Sequence, residues 1–180
     1  MTRQAQRRLF LLAIVGTVAT GWAVALRETS ATAAAAAVAS ARPEVAPAVA
    51  CPFPRDLRTV FEAAARDASI PPAMLYAVAK IESNLRPEAE SPVGARGLLQ
   101  LMPATGRMLN LDVTEPRTNV LAGARYLRRL LDELGSSDVA LAAYNAGPSA
   151  VRAAGGAPSL AVLRYVANVD ELWRAHAGCR

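Results

Sequence analysis

Pro72-Ala73-Met74-Leu75-Tyr76-Ala77-Val78-Ala79-Lys80-Ile81-Glu82-Ser83-Asn84 reads as one short helix, apolar on almost every side. Pro71 and Pro72 break whatever precedes and start this helix, because proline's fixed φ suits a first helical turn. Leu75, Val78 and Ala79 share one stripe, and Met74, Val78, Ile81 and Leu85 share an adjoining one. A helix apolar on so many sides belongs inside a core. Seven residues after Leu75, where the periodicity asks for another core side chain, stands Glu82. Burying an ionised carboxylate is expensive unless it is paired or protonated, and a local rule broken in this way points to function. The plainer reading is that Glu82 closes the last turn and reaches solvent or Arg86. Periodicity alone leaves both readings open.

Working outward, Leu57, Val60, Phe61 and Ala64 predict an amphipathic helix over about Arg55–Ala68. Downstream, Glu88 to Gly97 is rich in turn formers. The apolar run Leu98-Leu99-Gln100-Leu101-Met102 follows, with a polar Gln100 in its middle. Asn119 to Leu134 has the clearest amphipathic pattern, with Leu127, Leu131 and Leu134 facing the core and Gly135 as its stop. Ser137 is read as the N-cap of a helix running on to Asn145, before Gly147-Pro148. A last helix from about Ser159 carries Leu163, Val166, Val169 and Trp173. The expected fold class is mainly α: a single domain of short helices with little or no β structure.

The 180 residues suffice for one domain plus short extras. One histidine, His176, and two cysteines, Cys51 and Cys179, are too few for a Cys/His zinc cage. No glycine-rich phosphate-binding fingerprint occurs, which removes kinase, NTPase and dehydrogenase readings. The net charge of +5 suggests nucleic acid at first sight, but residues 51–180 hold 15 basic against 13 acidic side chains. The excess lies in the first fifty residues, so a mixed, solvated surface is the reading and no nucleic-acid partner is expected.

Residues 1–26 combine a basic start with an apolar run from Leu9 to Leu26, the pattern of a secretory signal peptide. Cleavage after Ala23-Val24-Ala25 and retention as an N-terminal membrane anchor both fit this segment. Contact with the inner membrane follows only in the second case. Residues 27–50 are alanine-rich with Pro43 and Pro47, and read as a low-complexity linker. The domain proper is expected over 51–180. Outside the cytosol, two cysteines bracketing a domain tend to pair, so Cys51 and Cys179 form a candidate disulfide. Lipidation of Cys51 is opposed by Ala48-Val49-Ala50 before it, which lacks a leucine.

Three segments together carry a resemblance. Ile81-Glu82-Ser83, then Ser91-Pro92-Val93-Gly94-Ala95-Arg96-Gly97-Leu98-Leu99-Gln100-Leu101-Met102-Pro103-Ala104-Thr105, then Ala143-Tyr144-Asn145-Ala146-Gly147 resemble the motifs of the soluble lytic transglycosylase family, in order and with matching spacing. The likeness covers roughly residues 55–176. Leu99 stands where that family more often has methionine. The resemblance implies a lysozyme-like helical fold, a peptidoglycan glycan substrate and no cofactor. It casts Glu82 as the catalytic acid, Ser91 as a serine near it, and Gln100, Met102, Tyr144 and Asn145 as glycan-contacting residues. Tyr165 matches a later cleft tyrosine. Without those motifs, Met102 would read as core, Tyr144 as a half-buried aromatic and Asn145 as a cap. Glu88 and Glu90 lie in a polar, turn-rich stretch and are set aside as solvated.

Most glycosidases use two carboxylates, and here only one is convincing. The resemblance implies that the substrate supplies the missing group. Neutral Glu82 protonates the β-1,4 bond between N-acetylmuramic acid and N-acetylglucosamine, and the C6 hydroxyl then closes a 1,6-anhydro ring. A lysozyme-like muramidase using water, and a non-catalytic glycan-binding accessory of a secretion or conjugation apparatus, are the alternatives. A monomeric, exported, periplasm-facing protein is expected.

Overall fold

Proline spacing punctuates the architecture. The computed structural model describes residues 49–179, so the signal or anchor segment and the linker up to residue 48 lie outside the described residues. Within them the chain forms seven helices: α1 (Arg58–Asp67), α2 (Pro72–Ser83), α3 (Pro103–Leu109), α4 (Pro116–Leu134), α5 (Ser137–Ala146), α6 (Pro148–Ala154) and α7 (Leu160–Ala175). Four of the seven, α2, α3, α4 and α6, begin with proline in the first turn, where its missing N–H costs nothing. Helix α1 starts instead shortly after Pro54, whose carbonyl accepts from Leu57 and Arg58 N–H. No strand forms among the described residues, only isolated bridges such as Glu90 to Arg96 and Arg96 to Leu101.

Helix α2 is the centre of the fold. Ala73 through Ala79 are all buried, as its all-round apolar surface requires. It packs on α7 and α1, while α4 packs on α1 and α5, and α5 on α7. Phe61, Leu75, Val78, Leu98, Leu99, Leu127, Leu141 and Val169 fill the space between these helices. The disulfide between Cys51 and Cys179 joins positions 128 residues apart and brings their Cα atoms to 4.7 Å. Phe53, two residues on, stacks on Phe61 with ring centroids 4.4 Å apart, tying this clasp into the core.

The structure departs from the sequence reading in several places. Ser137 is the first residue of α5 and Ser136 occupies the cap position, without a side-chain hydrogen bond. Leu163 is 52% exposed, because α7 turns the stripe of Val162, Tyr165 and Val169 toward α2 and α5. Helices α3 and α6 were not anticipated; seven residues give fewer than two turns, too little for periodicity to register. At α7, Ser159 does cap as expected, its Oγ accepting from Val162 N–H at 3.3 Å.

Candidate active site

Helix α2 ends at the site. Asn84 and Leu85 both take positive φ, 55° and 61°, and turn the chain sharply away. This left-handed pair is disfavoured for residues with a Cβ, and is held by Asn84 N–H donating to the Lys80 carbonyl and Arg86 N–H to that of Ser83. Glu82 therefore sits on the last turn of a buried helix, half-buried itself. Its Oε1 accepts from the Tyr165 hydroxyl on α7 at 2.7 Å. Burial pushes the Glu82 carboxyl from 4.5 up to about 7, and the Tyr165 bond, which favours the ionised form, offsets part of that rise. Burial also pushes the hydroxyls of Tyr144 and Tyr165 well above 10, so both remain donors at physiological pH. The charge of Glu82 adds to the rise at each phenol, and of the two it is Tyr165 that touches the carboxyl.

The opposite wall is the segment 96–101, and buried polar groups hold it in place. Ser83 Oγ lies 2.8 Å from the Leu98 carbonyl and donates across from the end of α2. Asn119 on α4 is fully buried; its Oδ1 accepts from Leu99 N–H at 2.9 Å, and its Nδ2 donates to the carbonyls of Arg96 and Val113, each at 2.8 Å. Gly97 must be glycine here, because its φ is +72° and a Cβ would lie 2.5 Å from Asn119 Nδ2. Likewise a Cβ on Gly123 would come within 2.5 Å of Leu99 Cγ, so α4 receives Leu99 only through a missing side chain. The Leu99 carbonyl then accepts from the Tyr144 hydroxyl of α5 at 2.8 Å.

Gln100 follows at φ 44°, its Nε2 donating to the carbonyls of Ala89 and Gly97. With Glu82, Arg86, Glu88 and Glu90 it lines a cleft of about 460 Å³. Among the residues singled out from sequence, Glu82 and Gln100 line this cleft, Tyr165 is bonded to Glu82, and Tyr144 is bonded to the Leu99 carbonyl next to Gln100. Met102 is 42% exposed at the start of α3, and Asn145 is exposed near the end of α5. Ser91 is drawn into a tight turn instead: its Oγ accepts from Ala95 N–H at 3.0 Å, and its N–H donates to the Ala95 carbonyl. Glu88 and Glu90 do line the cleft, although Glu90 is engaged by Arg96 at 3.3 Å. Among the described residues no group of three or more His, Cys, Asp or Glu side chains is placed to hold a metal ion.

Comparison with known proteins bears on this geometry. The Transglycosylase SLT domain family matches residues 59–159, more than half of the chain. The chain belongs to that family. The soluble lytic murein transglycosylase of Salmonella typhimurium is 36% identical over 112 residues, 56% of this chain and 17% of that protein. Among solved structures, an inactive mutant of the lytic transglycosylase Slt from Pseudomonas aeruginosa superposes with a TM-score of 0.60 at 27% identity, covering 69% of this chain and 24% of that one. The 70 kDa soluble lytic transglycosylase from Escherichia coli gives a TM-score of 0.59 at 30% identity, covering 71% and 25%. The matched region thus spans about a quarter or less of each of these larger proteins. As an SLT domain, the chain has the mainly helical, lysozyme-like fold that its motifs implied. What sequence reading missed in this SLT domain is Asn119, the organiser of the 96–101 wall. Its only signal was a polar residue heading an amphipathic stripe, which looks like an ordinary helix start.

Proposed function

We propose that this SLT domain is a lytic transglycosylase that cleaves the β-1,4 bond between N-acetylmuramic acid and N-acetylglucosamine in peptidoglycan, with Glu82 as sole general acid and base. The observation that supports this most directly is a single half-buried carboxyl, raised to about 7, with a phenol donating to one of its oxygens. A group with that pKa is protonated often enough to act as an acid near neutrality and ionised often enough to act as a base. Tyr165 keeps its own proton, so Oε1 is committed as an acceptor and the acidic proton of Glu82 resides on Oε2. That oxygen delivers the proton to the leaving glycosidic oxygen, while the substrate's 2-acetamido oxygen supports the cation developing at C1. Ionised Glu82, steadied by the Tyr165 hydrogen bond, then takes the proton of the C6 hydroxyl as C6 oxygen attacks C1. The products are a free 4-hydroxyl on N-acetylglucosamine and a 1,6-anhydromuramic end, and the enzyme returns to its neutral state.

In this reading Gln100, Met102, Tyr144 and Asn145 contact the glycan, and Ser91 shapes the turn beside the cleft. Residues 1–26 direct export, 27–50 form a linker, and 51–180 work as a monomeric domain in the periplasm, with no cofactor. Service to a secretion or conjugation apparatus by local opening of the wall is compatible with so small an enzyme. A muramidase is the second reading, favoured by the placement of Glu88 in the same cleft, where its carboxylate could activate water. Incubation of purified peptidoglycan with wild type and with Glu82→Gln tests the proposal. Solubilisation by wild type and its loss by a factor of a thousand or more, on the order expected for removing an acid that also serves as base, supports it. Equal activity in both proteins overturns it.

A further inference from the structure

On the far side of the Tyr144 wall lies a second, smaller cavity of about 280 Å³, between α3, α4 and α6. Tyr126 lines it, and its ring centroid is 5.5 Å from that of Tyr144, whose hydroxyl holds the Leu99 carbonyl beside Gln100 of the cleft. Its edges run directly into the candidate glycan contacts: Ala104 and Thr105 follow Met102, and Pro148 follows Asn145-Ala146-Gly147. A strand lying over Glu82 and crossing Met102 and Asn145 therefore arrives at this cavity.

The charges of the cavity do not balance. It is lined by Arg129, Arg152 and Glu133. Glu133 is already taken by Arg152, Nη1 to Oε1 at 2.6 Å. Arg129 has no carboxylate within ion-pair reach among the described residues. Its Nη1 donates instead to Met108 Sδ at 3.2 Å, a weak acceptor that orients the guanidinium and leaves its other donors open. Two neighbouring arginines of α4 differ, since Arg125 is matched by Asp67 and Arg128 by Asp132. The cavity thus presents one excess positive charge, in a planar group suited to two-point recognition of a carboxylate.

We propose that this cavity is a carboxylate subsite, in which Arg129 holds an acidic group carried by the muramyl residue of the substrate. The inference rests on the glycan-cleaving reading above and adds a recognition element to it. Two sources share the chemistry: a carboxylate on the peptide stem, or the lactyl carboxylate of muramic acid from which the stem has been removed. Because Arg129 is exposed and bonds to Met108, taking no part in the Glu82–Tyr165 hydrogen bond, the subsite acts on binding and leaves the chemical step alone.

Calorimetry on the full chain tests this without turnover. The inactive Glu82→Gln protein and its double variant with Arg129→Gln would be titrated with a stem-bearing muropeptide, a stem-free muramyl disaccharide and a chito-oligosaccharide that has no carboxylate. Arg129→Gln is expected to weaken the stem-bearing muropeptide about tenfold, the scale of one exposed charge-assisted pair. Arg129→Lys should restore part of that loss, and chito-oligosaccharide affinity should not change. A loss confined to the stem-free disaccharide supports the subsite and assigns it to the lactyl group. No loss with either acidic ligand, no binding of either, or an equal loss with the chito-oligosaccharide overturns the proposal. Charge-dependent binding by a wild type that cleaves nothing would fail the cleavage reading while leaving this subsite standing.

Discussion

Replacing Glu82 by glutamine should remove a specific pH dependence from the stability of the fold. The carboxyl titrates at 4.5 when unperturbed and at about 7 in the folded chain, where burial is the dominant cause. At about 1.4 kcal/mol per pH unit, that separation amounts to about 3 kcal/mol. The folded state holds the proton more tightly than the unfolded state, so stability is greatest below the unfolded value, falls as the pH rises toward about 7, and is level above it. Glutamine is neutral throughout and its carbonyl can still accept from Tyr165, so the variant lacks this loss. The lowered carboxyls of Asp67, Asp112 and Glu115 act in the opposite sense and at more acid pH, and they are common to both proteins. Urea unfolding of both proteins, with the disulfide oxidised, would measure the difference at about pH 4 and about pH 8.5. Glu82→Gln is expected to gain about 3 kcal/mol on wild type between those two conditions. A difference that stays constant with pH would refute the raised carboxyl, and with it the physical basis for an acid working near neutrality.

Three further outcomes follow from particular contacts. Tyr165→Phe removes the donor that favours ionised Glu82, so the carboxyl should titrate above its wild-type value and the corresponding limb of the pH–rate profile should move to higher pH. Asn119→Ala leaves Leu99 N–H and the Val113 carbonyl without partners inside the core, while the Arg96 carbonyl keeps only Leu101 N–H; it should cost about 3 kcal/mol in urea unfolding and lower activity through the 96–101 wall. Cys51→Ala with Cys179→Ala opens a loop of 128 residues, and should lower stability by about 4 to 5 kcal/mol, as read from denaturation of the paired and unpaired proteins.

Where single elements decide structure, much could be read in advance. The apolar surround of α2 forces burial on every side, so a carboxylate among its positions stands out even without a fold. Helices α4 and α7 have the length for a stripe to repeat and capping residues at Gly135 and Ser159, so the end of α4 and the start of α7 are legible, whereas α4 begins at Pro116, three residues before the stripe at Asn119 shows. Other features depend on meetings between distant residues. Nothing near Tyr165 announces that its hydroxyl will find a carboxyl 83 residues away, and only the family motif drew attention to it. Asn119 and Gly123 act on a segment some twenty residues earlier, so their purpose appears only once Leu99 has been laid across α4. Ser91 matched a motif serine, yet its hydroxyl is spent on a local turn. The cleft position of Glu88 was hidden because a charged residue among turn formers looks like any solvated loop.

The account turns on a reaction closed by the substrate's own hydroxyl, and digestion of peptidoglycan in water enriched in oxygen-18 measures that directly. Mass spectrometry of the released fragments should show muramic ends lighter than hydrolytic ends by one water and free of the heavy isotope. Reducing ends carrying oxygen-18 would contradict the account, and would hand the second half of the reaction to a water molecule and to a second carboxylate such as Glu88.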